Sequence, residues 1–201
     1  MKRYLICSLF ILIFTSNSVY GQLKQHLIGI KTAYNISGVN FNPTKDEANI
    51  TTNKNYSIEY IYYHDLWKTM PYFGFLASIS YQEQGYKIDE EETKLTVYEL
   101  PIVSQFHIDF WKMRLLINAG GFMGYRMKSS TGFESKDTRI DYGFIGGGGL
   151  AFVFKPVELH LEANYQYSLS YLYSPKKFSE TDLQFSYPHQ LLISVGLYFH
   201  L

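Results

Sequence analysis

From Val157 to Tyr167 the chain alternates without a break. Val157, Leu159, Leu161, Ala163, Tyr165 and Tyr167 fall on one face, and Glu158, His160, Glu162, Asn164 and Gln166 on the other. Successive side chains of a strand point to opposite sides of the sheet, so this spacing predicts a strand with one apolar and one polar face. The end of the chain repeats it. Leu191, Ile193, Val195, Leu197, Phe199 and Leu201 oppose Leu192, Ser194, Gly196, Tyr198 and His200. An early segment does so too, with Ile28, Ile30, Thr32, Tyr34 and Ile36 set against Gly29, Lys31, Ala33 and Asn35. Five further strands are expected near 55–63, 71–83, 95–108, 113–127 and 140–154. Most are as long as the ~9–11 residues that a tilted strand needs to cross a bilayer.

The segments between them alternate in length. Residues 37–54, 84–94, 128–139 and 172–188 read as long polar loops, while 64–70, 109–112 and Lys155-Pro156 read as short turns. Eight strands with long connections at one end and tight turns at the other predict an all-β fold, an eight-stranded antiparallel up-and-down transmembrane barrel. Both chain ends then lie on the periplasmic side.

Period two alone does not say which face points inward, because a soluble lipocalin-like carrier also alternates. Volume decides. Eight strands enclose a bore just wide enough for side chains or one small ligand. The apolar face carries Tyr34, Tyr56, Tyr60, Tyr62, Phe73, Phe75, Phe144, Phe152, Phe154, Tyr165 and Tyr167, too bulky a set for that bore. The other face is rich in glycine and small polar residues. The apolar face is therefore expected to point outward, where it requires lipid. Trp67 and Trp111, both in short turns, suit an interfacial aromatic girdle.

Composition agrees. Aromatic residues make up 18% of the 201 residues and charged residues also 18%, the latter below the roughly 25% of soluble domains. Lys+Arg 18 balance Asp+Glu 18, which speaks against a nucleic-acid partner. Residues 1–21 have a basic start (Lys2, Arg3), an apolar stretch from Leu5 to Phe14 and a small residue, Gly21, before Gln22. That is the pattern of a cleaved signal peptide, leaving 22–201 as the barrel domain. The single cysteine, Cys7, lies inside the apolar stretch, so neither a lipoprotein anchor nor a disulfide is expected.

Several local patterns, taken in order, resemble the PorT-like outer-membrane β-barrel family of Bacteroidetes. They are Gly29-Ile30-Lys31-Thr32-Ala33, Ser80-Tyr81 with Gly85, Tyr98-Glu99-Leu100-Pro101, Asn118-Ala119-Gly120 with Gly124-Tyr125, and Asp141-Tyr142-Gly143 with Gly147-Gly148-Gly149. Two features depart from the family pattern. Ala163-Asn164-Tyr165 stands where an Arg-Tyr is common, and the last residue is Leu201 rather than an aromatic. The resemblance implies an outer-membrane location and the barrel fold, and a link to protein secretion through the member that gives the family its name.

No catalytic motif stands out, so no enzyme, cofactor, catalytic residue or metal site is expected. Gly146 to Gly149 form a glycine run inside a strand, with no helix to follow and hence no helix-terminal amides for a phosphate. Glu158, His160 and Glu162 share a face, but metal ligands converge from several elements. These residues are expected in an interior network with Lys31, Arg114 and Arg126, alongside Glu59, Glu99 and Asp141. The run Asp89-Glu90-Glu91-Glu92 reads as a solvated loop tip; its functional alternative is a divalent-cation or basic-partner contact. An outer-rim lipid-modifying enzyme is the competing class, with His189 and Ser186 near the outer rim; His26, His64 and His200 fall at the periplasmic end. The expected role is a small monomeric barrel with a plugged polar lumen, structural or an envelope binding partner, in contact with outer-membrane lipid and with an envelope or secretion-machinery protein.

Overall fold

The computed structural model describes residues 24–43, 46–64, 73–134, 137–174 and 185–201. They form one closed antiparallel sheet: β1 (Lys24–Asn42), β2 (Glu47–His64), β3 (Phe73–Ile88), β4 (Glu91–Phe110), β5 (Met113–Ser129), β6 (Ile140–Phe154), β7 (Val157–Ser168) and β8 (Phe185–His200). Each strand pairs with its sequence neighbours, and β8 closes on β1 from Leu27↔His200 to Asn42↔Phe185. Closure leaves no strand edge, so the ladders satisfy the backbone without water. The expected signal segment 1–21, most of the turn 64–70 and Trp67 lie outside the described residues.

The faces are as the alternation predicts. Ile30 is 64% exposed, Ile79 64% and Phe144 63%, and the outward row continues through Leu100, Ile102, Ile117, Met123, Ile193 and Val195. The inward row includes Asn35, Glu59, Gln105, Asn118, Glu158, His160 and Glu162, all buried. An outer surface of this apolarity is stable only against hydrocarbon. A soluble carrier, with its apolar face turned inward, is excluded by the same orientation.

Two loop expectations need correction. Residues 37–54 and 84–94 are mostly strand: β1 runs on to Asn42, β2 begins at Glu47, and the turn between β3 and β4 is only Asp89-Glu90. The sequence misleads here because the pattern inverts. Beyond the bilayer the outward positions face water and are polar, as at Asn40 and Thr51, while the inward positions turn apolar. Val39, Phe41, Tyr86, Leu95, Val97, Leu172 and Tyr173 form a buried cluster at this end, with Ile88 and Phe133 packed against it. The segment 172–188 also contains the start of β8. The β5–β6 and β7–β8 connections remain long, and the turns Trp111-Lys112 and Lys155-Pro156 are short as expected.

One distortion shapes the wall. β2 carries an extra residue between Thr52 and Asn55 relative to β1. The Asn55 side chain closes the gap. Its amide donates to the carbonyls of Ala33 (3.2 Å) and Thr52 (3.2 Å), and its oxygen accepts from the Glu83 amide (3.0 Å). Asn35 of β1 reaches past the bulge to the Glu83 carbonyl of β3 at 3.1 Å. A bulge of this kind bends a strand without leaving polar backbone exposed to lipid.

Candidate functional site

The interior is built in layers. At the end that carries the termini, Glu158 of β7 is the hub. It binds Arg114 (3.1 Å), His160 (3.1 Å) and His200 (2.7 Å), from β5, β7 and β8. Arg114 also reaches Asp109 (3.2 Å) and the side-chain Oε1 of Gln25 (2.9 Å), and Asp109 holds His107 (2.7 Å). The expected network is present, with its partners sorted differently. Arg114 pairs with Glu158, but Lys31 pairs with Glu59 (2.7 Å) and Arg126 with Asp141 (3.0 Å). Glu162 is held by Asn118 (2.8 Å) and Asn164 (3.0 Å), with His160 at 3.5 Å. Burying so many charges is costly, and partners on the same strand and on other strands offset that cost.

Two inward aromatics cover this network. The Tyr198 ring lies against Gly29 and Gly196, so tightly that a Cβ on Gly29 would strike it; its hydroxyl donates to Glu59. Tyr63 lies over Gly74 in the same way and donates to Gln105 (2.5 Å). The Arg114 guanidinium sits 5.0 Å from the Tyr63 ring centre, a cation–π contact. Leu27, Ile61, Leu76 and Val103 complete this apolar layer. Sequence patterning placed Tyr198 on the inward face but did not single it out, and Tyr63 was missed. The signal was available: an aromatic directly across from a glycine on the neighbouring strand.

The middle layer is mostly side-chain amide, with the buried Glu99 carboxylate 3.5 Å from the Gln190 amide. Gln190 donates to Gln82 (2.8 Å) and to Gln166, and accepts from Asn35 (2.6 Å), so β1, β3, β7 and β8 are tied across the bore. Above it Arg126 is wholly buried. Its guanidinium donates to the carbonyls of Thr138 (2.8 Å), Tyr171 (3.1 Å) and Ile140 (3.3 Å), to the Ser170 hydroxyl (3.2 Å), and pairs with Asp141. It fastens the β5–β6 and β7–β8 connections to the wall. Leu172 and Tyr173 then pack into the apolar cluster, and Tyr173 shares a hydrogen bond with Tyr86. Burial, reinforced by the Tyr86 hydroxyl, pushes the Tyr173 phenol well above its ordinary range, so it stays protonated.

On the outside, Tyr56, Tyr81, Tyr98 and Tyr125 are consecutive cross-strand partners on β2 to β5. Tyr142, Tyr165, Tyr167, Tyr171 and Tyr187 carry the aromatic surface onward over β6 to β8, with Tyr171 and Tyr187 rings 5.0 Å apart. At the opposite end Phe73, Phe106, Phe110 and the 93%-exposed Trp111 form a second aromatic zone. From Tyr98 to Phe110, β4 advances about 40 Å at ~3.3 Å per residue. At a strand tilt of ~40° that is about 30 Å of height, which matches a bilayer core of roughly 30 Å. Trp111 fits the expected girdle; the tyrosine girdle was not anticipated as a ring.

The remaining candidates separate. Ser186 is buried and bonds the Tyr173 amide (3.0 Å), whereas His189 lies on the outward face beside Tyr165, ring centres 6.2 Å apart. Nucleophile and base would have to meet, and these two point to opposite sides of the wall. Asp89 to Glu92 cap the β3–β4 hairpin, and Glu92 pairs with Lys94 at 3.2 Å. Gly147 faces inward where β7 approaches; a Cβ there would collide with the Ala163 carbonyl and with Asn164. The glycine run thus makes room for the network.

No family model matches the chain, and no curated protein matches it. Among solved structures, similarity is found to Ail, the attachment invasion locus protein of Yersinia pestis (17% identity, TM-score 0.44, 87% of this chain and 99% of that one). Neisserial surface protein A is similar at 13% identity and TM-score 0.49, over 87% of this chain and 96% of that one. The N-terminal β-barrel domain of Pseudomonas aeruginosa OprF is similar at 13% and 0.44, over 89% and 99%. The eight-stranded closed topology and the lipid-facing band rest on the strand register and the exposed residues themselves. Together they make this an outer-membrane barrel.

Proposed function

We propose that the protein is a monomeric, non-enzymatic outer-membrane barrel whose lumen is plugged by its own side chains and whose loop end serves as a binding or assembly surface in the envelope. The termini face the periplasm, and the β1–β2 and β3–β4 hairpins project outward. The observation that carries this reading is the stack of three different seals in one narrow bore: the Tyr63/Tyr198 layer, the glutamine layer around Gln190, and the Arg126 clamp beneath its apolar cap. The tyrosine and glutamine layers reach across the bore and the clamp ties the loop connections to the wall, so the interior serves rigidity rather than transport, and recognition is left to the rim. The ordered motifs from Gly29 to Gly149 support kinship with PorT-like barrels and, with it, a secretion-linked partner. The cleaved leader 1–21 supports export.

Purified protein reconstituted in planar lipid bilayers is expected to give no stepwise ion conductance. Discrete, reproducible channel openings would contradict the plugged-lumen reading.

A further inference from the structure

Above the tyrosine girdle the outward positions of the projecting strands are polar, as at Asn49, Thr51, Lys94 and Lys128. β8 breaks this rule. Its outward residues there are Phe185 and Tyr187, while Ser186 and Pro188 are buried on the inner side. Leu191 of β8 is the cross-strand partner of the girdle residue Tyr165. Tyr187 and Phe185 lie four and six residues farther toward the loops, about 10 Å and about 15 Å higher at ~3.3 Å per residue and a tilt of ~40°. Both therefore stand clear of the hydrocarbon that the girdle bounds.

Tyr187 is the centre of a stack. Its ring centre lies 5.0 Å from that of Tyr171, 5.3 Å from Phe185 and 5.9 Å from Tyr167, with interplanar angles of 33°, 36° and 33°. All four rings are partly or wholly exposed. The cross-strand partners of Tyr187 and Phe185 on β1 are Asn40 and Asn42, and Tyr167 faces His189 on β8. No Lys, Arg, Asp or Glu stands among these residues.

A cluster of rings exposed where water is expected marks a contact surface. Its height excludes hydrocarbon as the partner, and the lack of a counter-charge disfavours a phosphate or a charged protein segment. A sugar ring fits. One face of a pyranose presents a row of C–H bonds that packs on the electron-rich face of an aromatic ring. Its hydroxyls find donors and acceptors in the tyrosine phenols and in the exposed Asn40 amide. The stack faces sideways from the wall, so the sugar that meets it lies in the layer directly over the bilayer. We propose that the Tyr167–Tyr171–Phe185–Tyr187 stack is a docking surface for uncharged sugar rings of glycolipid in the surrounding outer leaflet. This names a partner for the recognition surface at the loop end and rests on that reading.

The test places the folded protein, with ¹³C-labelled tyrosine rings, in phospholipid nanodiscs that contain one of two glycolipids. The first is lipopolysaccharide with its complete core sugars; the second is deep-rough lipopolysaccharide, which keeps lipid A and its phosphates but lacks the outer sugars. The Tyr171 and Tyr187 signals are expected to shift with the complete core only, while Tyr98 in the girdle responds alike to both. In native mass spectrometry Tyr187→Ala is expected to retain the complete-core glycolipid about tenfold less well than the parent. Tyr171→Ala, outside the strands, takes its place should Tyr187→Ala fail to fold. Equal shifts with the two glycolipids would overturn the inference by assigning the contact to lipid or phosphate, and unmoved Tyr171 and Tyr187 signals would overturn it outright. Unmoved signals with a silent bilayer recording remove only the sugar partner and leave the rim reading standing; stepwise conductance removes that reading itself.

Discussion

Replacing Arg126 with Met is expected to lower the free energy of refolding by about 3–5 kcal/mol, the usual result of removing one partner of a buried ion pair. Methionine fills much of the volume, so the effect is electrostatic in origin. Asp141 would keep the Ser170 hydroxyl (2.8 Å) but lose its cation, and three carbonyls would lose a donor. Neutralising both groups, as in R126M/D141N, removes the stranded charge. The double variant is expected to be more stable than the single one, with a coupling of about 1–3 kcal/mol. Urea titration of folding into lipid vesicles, read by tryptophan fluorescence, measures both. An R126M chain as stable as the parent would show that the clamp does not hold the loop end.

A second large effect is expected on the lipid face. Ile102→Arg and Ile117→Arg lie between the two aromatic zones, at 54% and 51% exposure. Each is expected to cost about 2–4 kcal/mol, the penalty for a cation near the bilayer midplane. Thr51→Arg, exposed beyond the tyrosine girdle, is expected to stay within about 0.5 kcal/mol of the parent. The same titration discriminates the positions. All three residues are solvent-accessible in the isolated chain, so a difference between them reports the lipid and not burial in protein. Equal, small effects at Ile102, Ile117 and Thr51 would mean that the apolar face meets water.

The membrane-embedded half of the fold was legible in the sequence, because one physical contrast governs it. Lipid outside and a narrow bore inside force bulk and apolarity onto alternate residues, and Val157 to Tyr167 records that contrast without a break. The projecting half was not legible. There water lies outside and a packed core inside, so polar Asn40 and Thr51 face outward while Val39 and Phe41 face inward. The alternation survives but its sense inverts, and with Gly38 and Pro43 nearby the segment reads as a loop. The members of the charged network were legible as types. Their pairing was not, because register between distant strands decides that Lys31 meets Glu59 and that Glu158 gathers Arg114 and His200. The layers that seal the bore escaped notice for a related reason. Tyr63, Gln190 and Arg126 acquire their roles only once the sheet closes and brings β1, β3, β5 and β7 to face one another.

The central claim is a closed barrel that turns its apolar face to lipid. Cell fractionation followed by gel electrophoresis in SDS, with and without boiling, tests it most directly. The ladder from β1 through β8 and back to β1 should resist unboiled SDS, so outer-membrane material is expected to migrate faster unboiled than boiled. Recovery in the soluble fraction, with the same mobility before and after boiling, would contradict the account.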